Sequence, residues 1–158
     1  MNPIKEVTFE RTYDAPLTAV WQAWTNAEML KKWWGPKNVD IPECTLDVRV
    51  GGKLYLVMEA NEGMGEYKGT RWPMEGEYTE VEENRKLAYI AKAWTEGAQA
   101  ATEIDQTSEL ILSEENNKTT LKLNVKLTKI APDTQAAVDG MQYGYTQQFE
   151  KLAAFLAQ

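Results

Sequence analysis

From Glu6 to Tyr13 the chain alternates, with Val7, Phe9, Arg11 and Tyr13 set against Glu6, Thr8, Glu10 and Thr12. A period of two predicts a half-buried first strand. Asp14-Ala15-Pro16 stops it, with Asp14 or Ala15 as helix entry and Pro16 suited to the first turn. Leu17, Val20, Trp21 and Trp24 then share one helical face up to about Thr25. Thr25 and Glu28 have the spacing of a capping box, which opens a second short helix carrying Leu30, Trp33 and Trp34. Gly35-Pro36 ends that helix.

Alternation returns at Ile41. Cys44, Leu46, Val48 and Val50 oppose Thr45, Asp47 and Arg49, Gly51-Gly52 supplies a two-residue hairpin turn, and Leu54, Leu56 and Met58 come back opposite Tyr55, Val57 and Glu59. The stretch from Asn61 to Arg71 holds three glycines and reads as a mobile loop. Met74, Gly76, Tyr78 and Glu80 then alternate with Glu75, Glu77, Thr79 and Val81. After the turn at Glu83-Asn84-Arg85, Leu87, Tyr89 and Ala91 face one way and Ala88, Ile90 and Trp94 the other. An irregular segment from about Thr95 to Asp105 precedes a hairpin, SELILSE-ENN-KTTLKLNVKLT, whose Leu121, Leu123, Val125 and Leu127 share a face.

The stretch from Asp133 to Ala157 changes period. Val138, Met141, Tyr145, Phe149, Leu152 and Leu156 recur at steps of three and four, one stripe of a long amphipathic helix with Asp133 as N-cap. Asp139, Gln142, Gln147 and Glu150 fall on its wet side. Gly140 and Gly144 flank the stripe although each costs about 1 kcal/mol against Ala. Close packing of the helix backbone on a sheet is the ordinary explanation; room kept for a ligand is the other. The element order is strand, two short helices, six strands in antiparallel succession and a long helix. That is an α+β layer arrangement with helices on one side of an antiparallel sheet.

Composition narrows what such a fold can do. The 158 residues carry a net charge of −7, no His and a single cysteine, Cys44. They are expected as one domain spanning residues 1–158. The negative balance argues against nucleic acid as a partner. The absence of His and the lone thiol exclude internal disulfides, His-based acid/base work, Cys-His nucleophiles and ordinary zinc sites, so no metal and no cofactor are expected. Proton transfer would fall to Asp, Glu, Lys or Tyr. No apolar run approaches the ~18 residues of a membrane span, and MNPIKEVTFERTYD has no export-signal core. The cytoplasm is the expected compartment. Six Trp and seven Tyr suit either a core or an apolar cavity.

Four stretches carry a family resemblance that covers nearly the whole chain: RTYDAPLTAVWQAWTNAEMLKKWWGP (Arg11 to Pro36), DVRVGG (Asp47 to Gly52), EGEYTEVEENRKLAYIAKAW (Glu75 to Trp94) and GMQYGYTQQFEKLAAFL (Gly140 to Leu156). Their order and spacing resemble the START-like, helix-grip superfamily that includes polyketide cyclases, lipid-transfer proteins and pollen allergens. The match is closest to the branch named for the activator of the heat-shock-protein-90 ATPase. WWGP after two short helices is its most specific part. Val50 departs where proline is frequent, and Tyr145 where tryptophan is frequent.

The resemblance implies a curved antiparallel sheet of about six or seven strands gripping the C-terminal helix, with a cavity between them closed at one end by the short helices. Many members bind a hydrophobic small molecule or lipid there, some are enzymes, and the eukaryotic namesake is a co-chaperone linked to the stress response. Three functions are therefore carried forward. The leading one is binding of a hydrophobic or aromatic small molecule, with no catalysis assured. The others are a chaperone-interacting module and a cyclase- or hydrolase-type enzyme built on Glu and Tyr. A monomer or homodimer fits all three.

The residues expected at the cavity are Met58, Trp72, Met74, Tyr89, Met141, Gly144 and Tyr145, with Trp33 or Trp34 near its mouth and the Asn61–Arg71 and Thr95–Asp105 segments as rim. Each has a plainer role as core. Trp33 and Trp34 lie about 100° apart on a helix, so one of them is expected to be structural. Glu75 and Glu77, on one strand face, read as a solvated acidic surface before they read as an acid/base pair. Arg11 would be buried beside Val7 and Phe9 and calls for a carboxylate; Arg49 has Asp47 beside it for a surface ion pair.

Overall fold

The computed structural model describes residues 4–158, so Met1 to Pro3 of the expected domain lie outside the described residues. The strands are β1 (Lys5–Tyr13), β2 (Val39–Leu46), β3 (Lys53–Ala60), β4 (Arg71–Glu82), β5 (Lys86–Ala93), β6 (Ile104–Glu115) and β7 (Lys118–Ile130). The helices are α1 (Leu17–Thr25), α2 (Ala27–Leu30), α3 (Gln99–Thr102) and α4 (Gln135–Leu156). The strands form one curved seven-stranded sheet in the order β1-β7-β6-β5-β4-β3-β2, antiparallel throughout. From β2 to β7 it is a meander; β1 returns to the β7 edge. This is the expected α+β helix-grip architecture.

Period-two alternation decides which face is dry. Leu121, Leu123, Val125 and Leu127 of β7 are fully buried, as are Leu54 and Leu56 of β3 and Leu87 and Tyr89 of β5. Opposite them lies the stripe of α4, where Val138, Phe149 and Leu152 are buried and Met141, Tyr145 and Leu156 pack against the same core. Phe9, Tyr145 and Phe149 form an aromatic triangle with centroids 5.1 to 6.1 Å apart, joining β1 to α4. The β6–β7 turn needs left-handed backbone, and Asn116 and Asn117 supply it with φ of 54° and 63°.

Several local expectations are corrected. The second helix is capped by Asn26, whose side chain accepts from the Met29 N–H at 3.0 Å, while the Thr25 hydroxyl donates to the Trp21 carbonyl instead. It is one turn long, and Trp33 and Trp34 follow it in a tight turn closed onto the Leu30 carbonyl. The entry of α1 is Pro16, without a side-chain cap of its own; Glu114, from the far end of β6, accepts from the Leu17 N–H at 2.9 Å. The long helix begins at Gln135 after a short 3₁₀ turn that contains Asp133, so Asp133 is not its N-cap.

In β4 the register shifts between Tyr78 and Glu80. The extra residue turns Glu80 outward and puts Val81 against the core, the reverse of strict alternation. The Asn61–Arg71 segment is more ordered than a mobile loop: Glu62–Tyr67 is 3₁₀-helical, and the Asn61 side chain caps it by accepting from the Gly63 N–H at 2.8 Å. Arg11 has no carboxylate partner among the described residues. Its guanidinium lies 5.5 Å over the Phe149 ring and donates to the Glu10 carbonyl, which keeps the head half-solvated. Arg49 pairs with Asp47 at 2.9 Å, as expected on the surface.

Candidate functional site

Between the concave face of the sheet and α4 lies a cavity of about 360 Å³. The sheet contributes Met58 from β3, Trp72 and Met74 from β4, Ala93 from β5, Ile104 and Gln106 from β6 and Leu127 from β7. α4 contributes Ala137, Val138, Gly140, Met141, Gly144, Tyr145 and Gln148. Alternation explains the sheet side, since Met58, Trp72 and Met74 all point inward and β3 and β4 pair Met58 with Trp72. Of the nine residues expected at the site, the structure brings seven to this space: Trp34, Met58, Trp72, Met74, Met141, Gly144 and Tyr145. Its volume lies within the usual range for small-molecule sites.

Two expected residues are elsewhere. Trp33 is fully buried and packs against Trp34 at 5.5 Å, with its indole N–H donating to the Ala23 carbonyl at 3.0 Å and its ring edge-on to Trp24 at 5.0 Å. Tyr89 sits deeper in the core, packed edge-on against Tyr78 at 6.3 Å, and burial pushes its phenol well above the ordinary value. Trp34 is also not at the mouth. It is buried, and forms the closed end together with Val39 and Gln148, while the exposed Ala137 and Gly140 and the half-buried Met64 and Trp72 mark the open end. Met64 belongs to the 3₁₀ turn and Ile104 to the start of β6, so the two segments expected as rim border the opening.

The glycines of α4 do not touch the sheet. A Cβ on Gly140 would meet nothing within 4 Å, and one on Gly144 would meet only the Pro36 Cβ, at an ordinary 3.8 Å. Close helix–sheet packing therefore does not account for them, and both border the cavity. Gly140→Ala is expected to stabilise the protein by about 0.5–1 kcal/mol, because it removes the helix penalty of glycine without a steric cost. A urea denaturation midpoint that falls instead of rising contradicts the open space beside the helix.

Sequence reasoning missed a polar clasp at the closed end. Three side chains of α4 bind the backbone of the Trp34–Val39 loop. Gln147 accepts from the Lys37 N–H at 3.1 Å and Gln148 from the Gly35 N–H at 2.9 Å, while Lys151 donates to the carbonyls of Trp34, Val39 and Pro36 at 3.0, 3.3 and 3.5 Å. Gln147, placed on the wet side by the helical pattern, is thereby half-buried. Burial lowers the Lys151 pKa, partly offset by Asp40. Gly35 makes the loop possible with φ of 86°, which few other residues tolerate. The only advance signal was the run of Gln and Lys one turn apart beside the apolar stripe.

The wall of the cavity carries no formal charge among the described residues. No Asp, Glu, Lys or Arg lines it. Burial raises the Tyr145 phenol above its ordinary value and the Gln106 amide offsets part of that. The Asp105 carboxyl is raised, by burial first and then by Glu103, but it stands on the outer face of the sheet. That face carries an open groove of about 650 Å³ along Lys53, Glu75, Glu77 and Lys92, where Lys53 and Glu77 pair as surface ions. Cys44 is half-buried, its thiol pushed up to about 11 by burial. Among the described residues no three of His, Cys, Asp and Glu are grouped to hold a metal, and no helix is long and apolar enough to cross a membrane.

The family model described as activator of Hsp90 ATPase homolog 1-like protein matches residues 14–157. The chain belongs to that family. No curated protein matches the sequence. Solved structures share its fold at low identity. A protein of Nitrosomonas europaea is 23% identical with a TM-score of 0.76, covering 97% of this chain and 94% of its own. A Mycobacterium smegmatis protein is 20% identical with a TM-score of 0.77, covering 96% and 90%. The AHSA1 protein of Silicibacter pomeroyi is 22% identical with a TM-score of 0.74, covering 97% and 98%.

Proposed function

We propose that the chain binds a hydrophobic or aromatic small molecule in the cavity between the sheet and α4, without carrying out a reaction on it. The observation that carries this reading is the lining: a space of about 360 Å³ walled by Met, Trp, Leu and Ile side chains, with no ionised group on its wall. Flexible thioethers at Met58, Met64, Met74 and Met141 suit an adaptable fit. The two helical glycines support it as well, since each keeps a side chain out of that space. A cyclase or hydrolase reading needs a carboxyl beside a Tyr inside the cavity, and none is there among the described residues. A cytoplasmic chaperone partner has the family's name in its favour. The chain's exposed large apolar side chains are spread over several elements, Tyr67, Ile90 and Tyr143 among them.

Gly144→Phe tests the reading. The new ring enters empty space beside Pro36, so the variant is expected to bind Nile red at least about tenfold more weakly than the parent while its denaturation midpoint changes by less than about 1 kcal/mol. Fluorescence titration and urea unfolding measure the two quantities. Unchanged probe affinity, or a parent protein that binds no probe, overturns the proposal.

A further inference from the structure

Beside the indole N–H groups of Trp34 and Trp72, the cavity wall has three polar side chains, Gln106, Tyr145 and Gln148, and they are not equivalent. Gln106 is engaged, donating to the Ser108 hydroxyl at 3.1 Å, and its amide lies beside the Tyr145 phenol. Gln148 is only half engaged. Its Oε1 accepts from the Gly35 N–H at 2.9 Å, and its Nε2 has no hydrogen-bond partner although the residue is only 4% exposed. The orientation of this amide is fixed by chemistry, because a flipped group would set N–H against N–H. Gln148 lines the closed end of the cavity, so two N–H donors without an acceptor sit at that wall, out of contact with water. A buried donor without an acceptor is costly, and a ligand that supplies the acceptor recovers that cost on binding.

We infer that the molecule bound here is neutral and apolar and carries one hydrogen-bond acceptor, a carbonyl or ether oxygen, that accepts from Gln148 Nε2 at the end closed by Trp34 and Val39. This rests on the reading of the cavity as a binding site. Neutrality follows from the wall: a carboxylate or phosphate would give up its hydration with no Lys or Arg to meet it, and an ammonium would find no Asp or Glu. Discrimination follows from the donor, since a site built to hydrogen-bond an oxygen rejects the analogue that lacks it.

Two probes of nearly the same shape isolate the donor: benzophenone, with a C=O group, and 1,1-diphenylethylene, with C=CH2 in its place. Calorimetric titration of the full chain and of Gln148→Met gives a ketone-to-alkene affinity ratio for each protein, in which the probes' own partitioning cancels. The ratio is expected to be about tenfold higher in the parent, with alkene affinity similar in both. In parallel, the side-chain amide resonances of Gln148 in the parent are expected to shift with benzophenone and to stay in place with the alkene. That measurement decides the matter if Gln148→Met, which also takes the acceptor from Gly35 N–H, proves unstable. Equal ratios, or an amide that benzophenone does not move, overturn the donor role and leave the cavity reading standing. Binding of neither probe removes the cavity reading itself and this inference with it.

Discussion

A chain ended at Ala131 is expected to lose its cooperative unfolding transition. What goes with α4 is Val138, Phe149 and Leu152, all buried, and the partial cover given by Met141, Tyr145, Phe155 and Leu156. At about 1.5–3 kcal/mol for each fully buried side chain, the first three alone stand for roughly 5 to 9 kcal/mol. That compares with a total stability of about 5–15 kcal/mol for a domain. The loss extends further, because the inward residues of β7 and Phe9 of β1 would face water over the whole concave side. Far-ultraviolet circular dichroism during urea unfolding reads the outcome. A shortened chain that still melts sharply means that the sheet finds its own cover and that the grip on the helix is not what holds it.

Trp33→Ala is the single substitution expected to cost most, about 3–5 kcal/mol. Trp33 is fully buried between Trp24 and Trp34, at 5.0 and 5.5 Å between centroids, and its indole N–H satisfies the carbonyl of Ala23. Removing it opens a void beneath α1 and orphans that carbonyl. Because Trp33 does not line the cavity, Nile red affinity per folded molecule is expected to remain within about twofold of the parent. A denaturation midpoint shifted by less than about 1 kcal/mol, or a selective loss of probe binding, would move Trp33 from the core to the site.

How far the sequence discloses these features depends on where the deciding interaction lies. Alternation in β7 and the three-four stripe of α4 are local signals backed by burial, and both read directly as strand and helix. The family resemblance added the grip of one on the other. The cap of α1 was not readable, because the acceptor for the Leu17 N–H comes from Glu114, 97 residues away. Nor was the register shift in β4, since Thr79 and Glu80 are ordinary strand-edge residues until pairing with β5 is known. At the cavity, Met58, Trp72 and Met74 on inward strand positions were legible from alternation, and they form part of the lining. Tyr89 and Trp33 share those signals with core residues, and only depth in the fold separates them. Gln148 went unnoticed for the opposite reason: an amide beside an apolar stripe looks solvated, and its partner Gly35 is 113 residues distant.

The place of β1 has a consequence for how the chain reaches its native state. β1 pairs along its whole length with β7, from Lys5 opposite Leu127 to Tyr13 opposite Thr119. Thr12 and Thr120, whose hydroxyls are 3.0 Å apart across that pair, are separated by 108 residues, and Lys5 donates to the Val138 carbonyl 133 residues away. The hairpins from β2 to β7 can each close on their neighbour as they form. β1 must wait for the far end of the meander, and closing so long a loop is entropically slow. Docking of β1 and α4 onto β7 is thus the expected late step, and substitutions at Phe9 or Phe149 are expected to speed unfolding more than they slow folding.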